Sequence, residues 1–245
     1  MRLLRVRREL RRGLPDGRAP SRQAGAPRPD RRHAGRARAA DARVRRVGTG
    51  RAAGRRCGRV IPTLPLAPRN RLAELILAAL HDETARHELR RLAPGDASAL
   101  AGWLAPEEAR LAPLLGARAR SACRVLEPRP LHPPAVSLDE ALGDAGALWE
   151  AGLYFEVHEL LEPYWRDATG ATREALQGLI QAAVGYQHLA NGNLPGARAL
   201  LGEGADRLRG RALAGRALDA FAKDLGACVA RVDDFDWHLV PRFPG

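Results

Sequence analysis

The sequence predicts an all-α protein, a compact helical bundle with short loops, preceded by a small helical segment and a disordered N-terminal tail. From residue 70 onwards, apolar residues recur at three- and four-residue intervals, as they do on the buried face of an amphipathic helix. No segment alternates polar and apolar residues over a useful length, so we expect no sheet. Residues 1–60 consist mainly of Arg, Ala, Gly and Pro and contain no Phe, Trp or Tyr.

The N-terminal tail carries the positive charge of the chain. Residues 1–60 contain 20 Arg and 4 acidic residues, whereas residues 61–245 contain 20 Lys plus Arg and 24 Asp plus Glu. A segment so poor in large apolar residues cannot offset its chain entropy, so residues 1–65 are predicted to be disordered. Three interpretations of the tail stay open: a misplaced translation start in a GC-rich gene, a solvated tail, and a nucleic-acid arm.

The remainder of the chain has the composition of a soluble cytoplasmic body. No run of 18 apolar residues occurs, and arginines interrupt the N-terminus before a signal peptide could form. Three widely spaced cysteines (Cys57, Cys123 and Cys228) have no metal-ligand spacing and indicate free thiols in a reducing compartment. Because the body is slightly acidic, we expect neither a membrane nor a nucleic acid as its partner. A protein partner or a homo-oligomer stays open.

Residues 70–124 are predicted to form a small helical segment of unknown role. Asn70 can cap a first helix that ends near residue 92, and Asp96 can cap a short second helix. Pro106, followed by two glutamates, is typical of the first turn of a third helix.

Residues 137–232 are predicted to form the bundle, after a Pro-rich connector. Ser137 and Glu140 have the spacing of a capping box, and Gly152 suits the left-handed end of that first helix. The next helix contains Pro163, which predicts a kink or an early end there. Further helices are expected over about 172–189, after the cap residue Asn193, and over about 211–231.

The helix of the stretch "LYFEVHELLEPYW" carries the candidate site. At 100° per residue, His158, Glu159 and Glu162 share one side of the helix with Phe155 and Trp165. Glu156 stands apart from them. The stretch lacks the second histidine of a His-Glu-x-x-His zinc site, because Glu162 occupies that place, and it lacks the Glu-x-x-His motif of di-iron bundles.

A second polar stripe lies on the 172–189 helix, where Gln177, Gln181 and His188 fall on one side. If the two stripes meet, His158 and Glu162 can bond Gln177 or Gln181 across the interface. The cluster is then a ligand-binding or structural site, made of His158, Glu159, Glu162, Gln177 and Gln181. A structural network is the favoured interpretation, ahead of a small-ligand or metal pocket and of catalysis. Neither a metal nor a cofactor is identified.

Three ordered blocks resemble the bacterial family known as domain of unknown function family 309. They are "WEAGLYFEVHELLEPYW" (149–165), "LQGLIQAAVGYQHLANGN" (176–193) and "GARALL" (196–201). Glu150 stands where that family usually has Asn, and Tyr154 replaces a Phe. The resemblance covers roughly residues 138–205 and extends to about 231. It implies a compact helical bundle without an established activity.

Two functions stay open. In the first, the polar cluster binds a small ligand or an ion. In the alternative, residues 182–208 form a tetratricopeptide-like helical hairpin that binds a protein, and the polar cluster is purely structural. Gly185, Gly192, Ala197 and Leu201 have the spacing of that repeat, but a solenoid needs about three repeats and only one is found. The sequence names no reaction.

Overall fold

The computed structural model describes residues 63–96, 98–135 and 137–245, and this part confirms the all-α prediction. Of the predicted tail, residues 1–62 lie outside the described residues. None of the described helices is long and apolar enough to cross a membrane. Eight α-helices are described: α1 (Leu66–Ala78), α2 (Glu83–Leu92), α3 (Ala112–Leu126), α4 (Leu138–Glu150), α5 (Tyr154–Asp167), α6 (Gly170–Ala190), α7 (Leu194–Leu208) and α8 (Asp219–Val229).

The first predicted helix, residues 70–92, is in fact two helices. α1 begins four residues before Asn70, and the chain leaves the helical conformation at residues 79–82. Asp82 is extended there, and its carboxylate accepts a hydrogen bond from the backbone N–H of Thr84 at 2.7 Å. The helical pattern continues through Asp82, which is why the sequence predicted one helix. Asp82 is nevertheless a strong N-cap residue, and a new helix begins after it.

The segment between α2 and α3 is only partly as predicted. The Asp96 carboxylate accepts a hydrogen bond from the N–H of Ala99 at 2.8 Å, but residues 98–103 form turns rather than a second helix. The predicted start at Pro106 is confirmed. It opens a 3-10 helix, Pro106–Leu111, which continues directly into α3.

The start of the bundle is as the sequence indicates. The Ser137 hydroxyl accepts from the N–H of Glu140 at 3.2 Å, and the Glu140 carboxylate accepts from the N–H of Ser137 at 3.0 Å. Gly152 follows α4 with φ = +71°, a conformation that costs glycine little. The early end predicted at Pro163 is wrong, because α5 continues to Asp167.

α6 and α7 form a close antiparallel hairpin. Asn193 caps α7 as predicted, since its side chain accepts from the N–H of Gly196 at 3.1 Å. A Cβ atom built on Gly185 would lie 2.8 Å from Cγ of Leu201, so the glycine is what lets the two helices approach. The predicted small and large positions of the hairpin therefore meet across this interface.

The last predicted helix, 211–231, is wrong in its first half. Ala212–Leu213 and Arg216–Ala217 form a two-stranded antiparallel ladder, and the helix begins only at Asp219. Ala214 and Gly215 both have positive φ, 47° and 82°, which turns the chain back on itself. Within the part of the chain that the structure describes, the expectation that no sheet forms fails for these four residues alone.

Most of the buried apolar side chains of the described helices belong to one hydrophobic cluster. Leu72 of α1 and Leu115 of α3 lie in the same cluster as Leu148 of α4 and Leu179 of α6, and all four are almost fully buried. The division into a helical segment at 70–124 and a bundle at 137–232 stays a prediction about how the chain is organised.

Candidate functional site

α5 brings three of the predicted site residues together. The side chains of His158, Glu159 and Glu162 are each about a quarter exposed, at 27%, 25% and 28%. One nitrogen or oxygen atom from each lies within 4.8 Å of the others. Glu162 lies four residues after His158 and three after Glu159, the two spacings at which helical side chains are neighbours, which explains how one short segment presents all three groups.

The polar contacts of this His158–Glu159–Glu162 cluster are local. His158 Nδ1 lies 3.4 Å from Glu159 Oε1, and the Glu162 carboxylate accepts from the Arg166 guanidinium at 2.5 Å. Arg166 is 65% exposed, so its ion pair is in contact with water. The cluster is consequently open to a solute.

An aromatic ring borders the cluster on the side of α1. The ring centroids of Phe155 and His158 are 6.1 Å apart, and the guanidinium of Arg69 lies 4.1 Å from the Phe155 centroid. Phe155 is itself buried. The predicted combination of an aromatic side chain with the polar stripe is therefore present, with an arginine from outside the bundle added to it.

The two predicted site glutamines of α6, Gln177 and Gln181, are not joined to this cluster. The buried Gln181 donates from Nε2 to the Glu203 carboxylate of α7 at 2.7 Å, and its Oε1 has no partner. Among the described residues, no hydrogen bond connects His158 or Glu162 with Gln177 or Gln181. The bond that Gln181 does make lies on the interface of α6 with α7, where Gly178 and Gly204 bring the two helices close together.

Glu156 is the buried carboxylate of α5, although its position on the wheel set it apart. It is completely buried, and its two oxygens accept from Arg118 Nη2 of α3 at 2.7 and 3.1 Å. The signal in the sequence was mixed, because Pro163 and the charged Asp167 are the nearest neighbours of Glu156 on the helix wheel. A carboxylate in that position needs a buried cation.

A second buried carboxylate, Asp144, was not predicted. It is 1% exposed and accepts from Arg129 Nη2 at 2.9 Å, and His132 Nε2 lies 3.1 Å from the same oxygen. Asp144 lies three residues after Ala141 and four before Leu148, on the apolar stripe of α4. That placement is the signal that the sequence offered.

Sequence analysis also missed an aromatic cluster that the C-terminal residues complete. Trp149 contacts Tyr154, Tyr186 and Phe243, and its indole N–H donates to the carbonyl of Pro241 at 2.8 Å. Burial raises the pKa values of Tyr154 and Tyr186. Pro241 and Phe243, which follow the predicted bundle in the sequence, therefore pack against Trp149.

The described cysteines are free, as predicted, and are poor nucleophiles. Burial raises the pKa of the Cys228 thiol and also that of Cys123, so the reactive thiolate is disfavoured. The Cys228 thiol donates to the carbonyl of Leu239 at 3.3 Å. Cys57 lies outside the described residues. The groups suited to hold an ion are thus the imidazole and the two carboxylates of α5.

Comparison with known proteins identifies one segment. The family model described as "Domain of unknown function (DUF309)" matches residues 142–200. This segment spans most of α4, all of α5 and α6, and the first half of α7, so it includes the candidate site. No curated protein and no solved structure matches the chain. The match to the DUF309 family model thus covers residues 142–200, with the site-bearing helix near their start.

Proposed function

We propose that the His158–Glu159–Glu162 cluster binds a divalent transition-metal ion. The observation that carries the proposal is the approach of one nitrogen and two carboxylate oxygens to within 4.8 Å of one another on an accessible helix face. Imidazole and carboxylate together suit zinc, manganese and ferrous iron. The site would provide three protein ligands and leave further positions for water or a small ligand.

A modest side-chain movement would complete the coordination. Two ligands that are each about 2.1 Å from one ion can be at most about 4.2 Å apart. The present limit of 4.8 Å exceeds this by about 0.6 Å, a distance that rotation of a partly exposed glutamate can close. Glu162 would also have to leave Arg166, so we expect this arginine to compete with the metal.

The experiment is a titration of tag-free protein with Zn²⁺ and Mn²⁺ by calorimetry, together with the metal content of the protein as purified. At a free metal concentration of 100 times Kd, binding should stabilise the fold by about 2.7 kcal/mol. Binding should strengthen as the pH rises from about 5.5 to 7.5, because the imidazole must lose its proton to bind.

Matched variants distinguish the cluster from other surface ligands. His158→Ala and Glu162→Gln should each weaken binding at least tenfold and leave the melting temperature of the metal-free protein nearly unchanged, whereas Arg166→Ala should strengthen binding. His87→Ala and Glu107→Gln, both at exposed positions, should bind like the unchanged protein. Equal metal affinity in the His158 and His87 variants would contradict the proposal.

The α6–α7 hairpin supports a second function, the binding of a protein partner or of another copy of this chain. Its support is the close packing of Gly185 against Leu201, the kind of small-to-large contact on which helical-hairpin repeats are built. Substitution of the exposed residues Arg198 and Asp206 should then remove a partner in a pull-down or change the oligomeric state. If the variants keep both the partner and the oligomeric state, the result favours the metal site. Free thiols support a reducing, cytoplasmic location for either function.

A further inference from the structure

Arg166 is the residue that metal binding at α5 would leave without its partner. Its guanidinium is ion-paired with the Glu162 carboxylate at 2.5 Å, and this is the one ion pair that it makes with a described residue. A metal ion held by that carboxylate lies about 2.1 Å from the coordinating oxygen, and hence within about 5 Å of the guanidinium. Because the arginine side chain is 65% exposed, it can turn from the carboxylate towards a solute beside the ion.

A second arginine, Arg69 of α1, borders the same cluster. Its guanidinium carbon lies 4.1 Å from the centroid of the Phe155 ring, which is 6.1 Å from the centroid of the His158 imidazole. Together these distances place the guanidinium carbon no more than 10.2 Å from the imidazole centroid. Among the described residues, Arg69 makes no ion pair, and its side chain donates to the Asn70 side chain at 3.3 Å. No described carboxylate therefore neutralises its charge.

The sum of these charges indicates what the metal-loaded cluster attracts. Without a metal ion, the carboxylates of Glu159 and Glu162 balance the guanidinium groups of Arg69 and Arg166. A divalent ion adds two positive charges, and the imidazole that binds it is neutral. The loaded site then has an excess of two positive charges, which repel one another at these short distances. A ligand with two negative charges removes the excess.

We propose, on the basis of the metal site inferred above, that the loaded cluster binds a phosphate monoester, which bridges the metal ion and the two arginines. One terminal oxygen coordinates the ion, and the others accept hydrogen bonds from Arg166 and Arg69, because guanidinium groups match the geometry of a phosphate. Arg166 thus has two roles. It competes with the metal for Glu162 when no anion is present, and it holds the anion once the metal is bound.

The test is a calorimetric titration of the full chain with Zn²⁺ or Mn²⁺, whichever of the two binds more tightly alone. It is performed with and without methyl phosphate at constant ionic strength, and it is corrected for the complex that metal and methyl phosphate form in solution. Methyl phosphate should raise the metal affinity about tenfold, at the lower end of the range for coupled sites because Arg166 is exposed. Acetate, which has a single negative charge, should raise it less than about threefold.

Three variants test the two arginines. Without methyl phosphate, Arg166→Gln should bind the metal at least as tightly as the unchanged protein, because the competition for Glu162 is gone, and Arg69→Gln should bind it equally well. Both variants should gain less than about threefold from methyl phosphate. Arg209→Gln removes an arginine of similar exposure, 68%, and should keep the tenfold gain.

The outcomes distinguish a failure of the bridging anion from a failure of the metal site. If neither metal ion binds to the unchanged protein, the metal site fails and the phosphate site fails with it. If a metal ion binds and methyl phosphate leaves its affinity unchanged, the metal site stands and the bridging anion is refuted. A tenfold gain that persists in Arg166→Gln or Arg69→Gln, or that acetate also produces, overturns the proposal as well.

Discussion

The Arg118–Glu156 ion pair offers a quantitative test of how α3 is joined to α5. Glu156 is completely buried, and the Arg118 side chain is 21% exposed. The substitution Arg118→Met keeps most of the volume of the side chain and removes its charge. It leaves a carboxylate in the core without its cation, and this is the condition under which buried ion pairs have their largest effect.

The magnitude follows from the burial. Removal of one partner of a buried pair costs roughly 3–5 kcal/mol, and the partial exposure of Arg118 places this pair at the lower end. We expect Arg118→Met to lower the free energy of unfolding by about 3 kcal/mol. For a folded body of this size, that corresponds to a fall in melting temperature of roughly 6–12 °C.

The double variant Arg118→Met/Glu156→Leu removes both charges of the ion pair. An apolar pair of similar volume can replace a buried ion pair at little cost, so the double variant should lie within about 1 kcal/mol of the unchanged protein. Arg209→Met is the matched control, because its ion pair with Asp206 is 68% and 73% exposed and should contribute less than about 0.5 kcal/mol.

Urea unfolding followed by circular dichroism would measure all four proteins, with the slope of the transition as a check on two-state behaviour. The reasoning is refuted if Arg118→Met is no more destabilising than Arg209→Met. It is also refuted if the double variant is as unstable as the single one, because the loss would then come from packing and not from the unpaired charge.

Three further predictions follow from single contacts. Gly116→Ala should lower the free energy of unfolding by roughly 1–3 kcal/mol in urea titrations, because its Cβ would lie 2.3 Å from Cα of Gly95. Gly143→Ala is the control, because open space surrounds that position, and it should not destabilise the protein. Burial keeps the pKa values of Tyr154 and Tyr186 above the usual value of about 10. The stabilisation of the folded state by these neutral hydroxyls is therefore present below that pH and lost as the pH rises. Because Tyr164 is only partly buried, the measurement uses the Tyr164→Phe variant. Its tyrosinate absorbance should appear only with alkaline unfolding, and an appearance in the folded protein near pH 10 would contradict this. Hydrogen bonds from Arg91 and then Trp103 hold the pKa of Glu88 below 4.5, so the stabilisation by its ionised carboxylate is present above that pH and lost as the pH falls. Trp103 fluorescence should therefore change in the acid range, and Glu88→Gln should remove this change.

Features set by neighbours in the sequence were predictable. The capping box at Ser137 and the cap at Asn193 depend on residues within three positions, and both are present. The break before Asp82 and the hairpin at Ala214 were missed for a different reason. Aspartate and alanine are residue types that a continuing helix accepts, so the extended Asp82 and the positive φ of Ala214 could not be read from the local pattern.

The candidate site, too, was predictable only where it depends on neighbours in the sequence. His158, Glu159 and Glu162 come together because helix geometry places Glu162 beside both of the others, at spacings of four and three residues. The partner of Gln181 was not predictable, because it lies 22 residues away on α7, and the partner of Glu156 lies 38 residues away on α3. The local pattern showed which groups are polar, whereas chain packing decided which of them are buried.

The burial of Glu156 has a consequence for the residues beside it on α5. Glu156 and His158 are separated by about 160° around the helix axis, so a contact that draws Glu156 into the core turns His158 outward. Arg118 makes that contact, and a helix held in this rotation leaves the His158–Glu159–Glu162 cluster partly exposed. The ion pair and the cluster thus belong to one arrangement, in which a charge in the core sets the orientation of a polar face that can bind an ion.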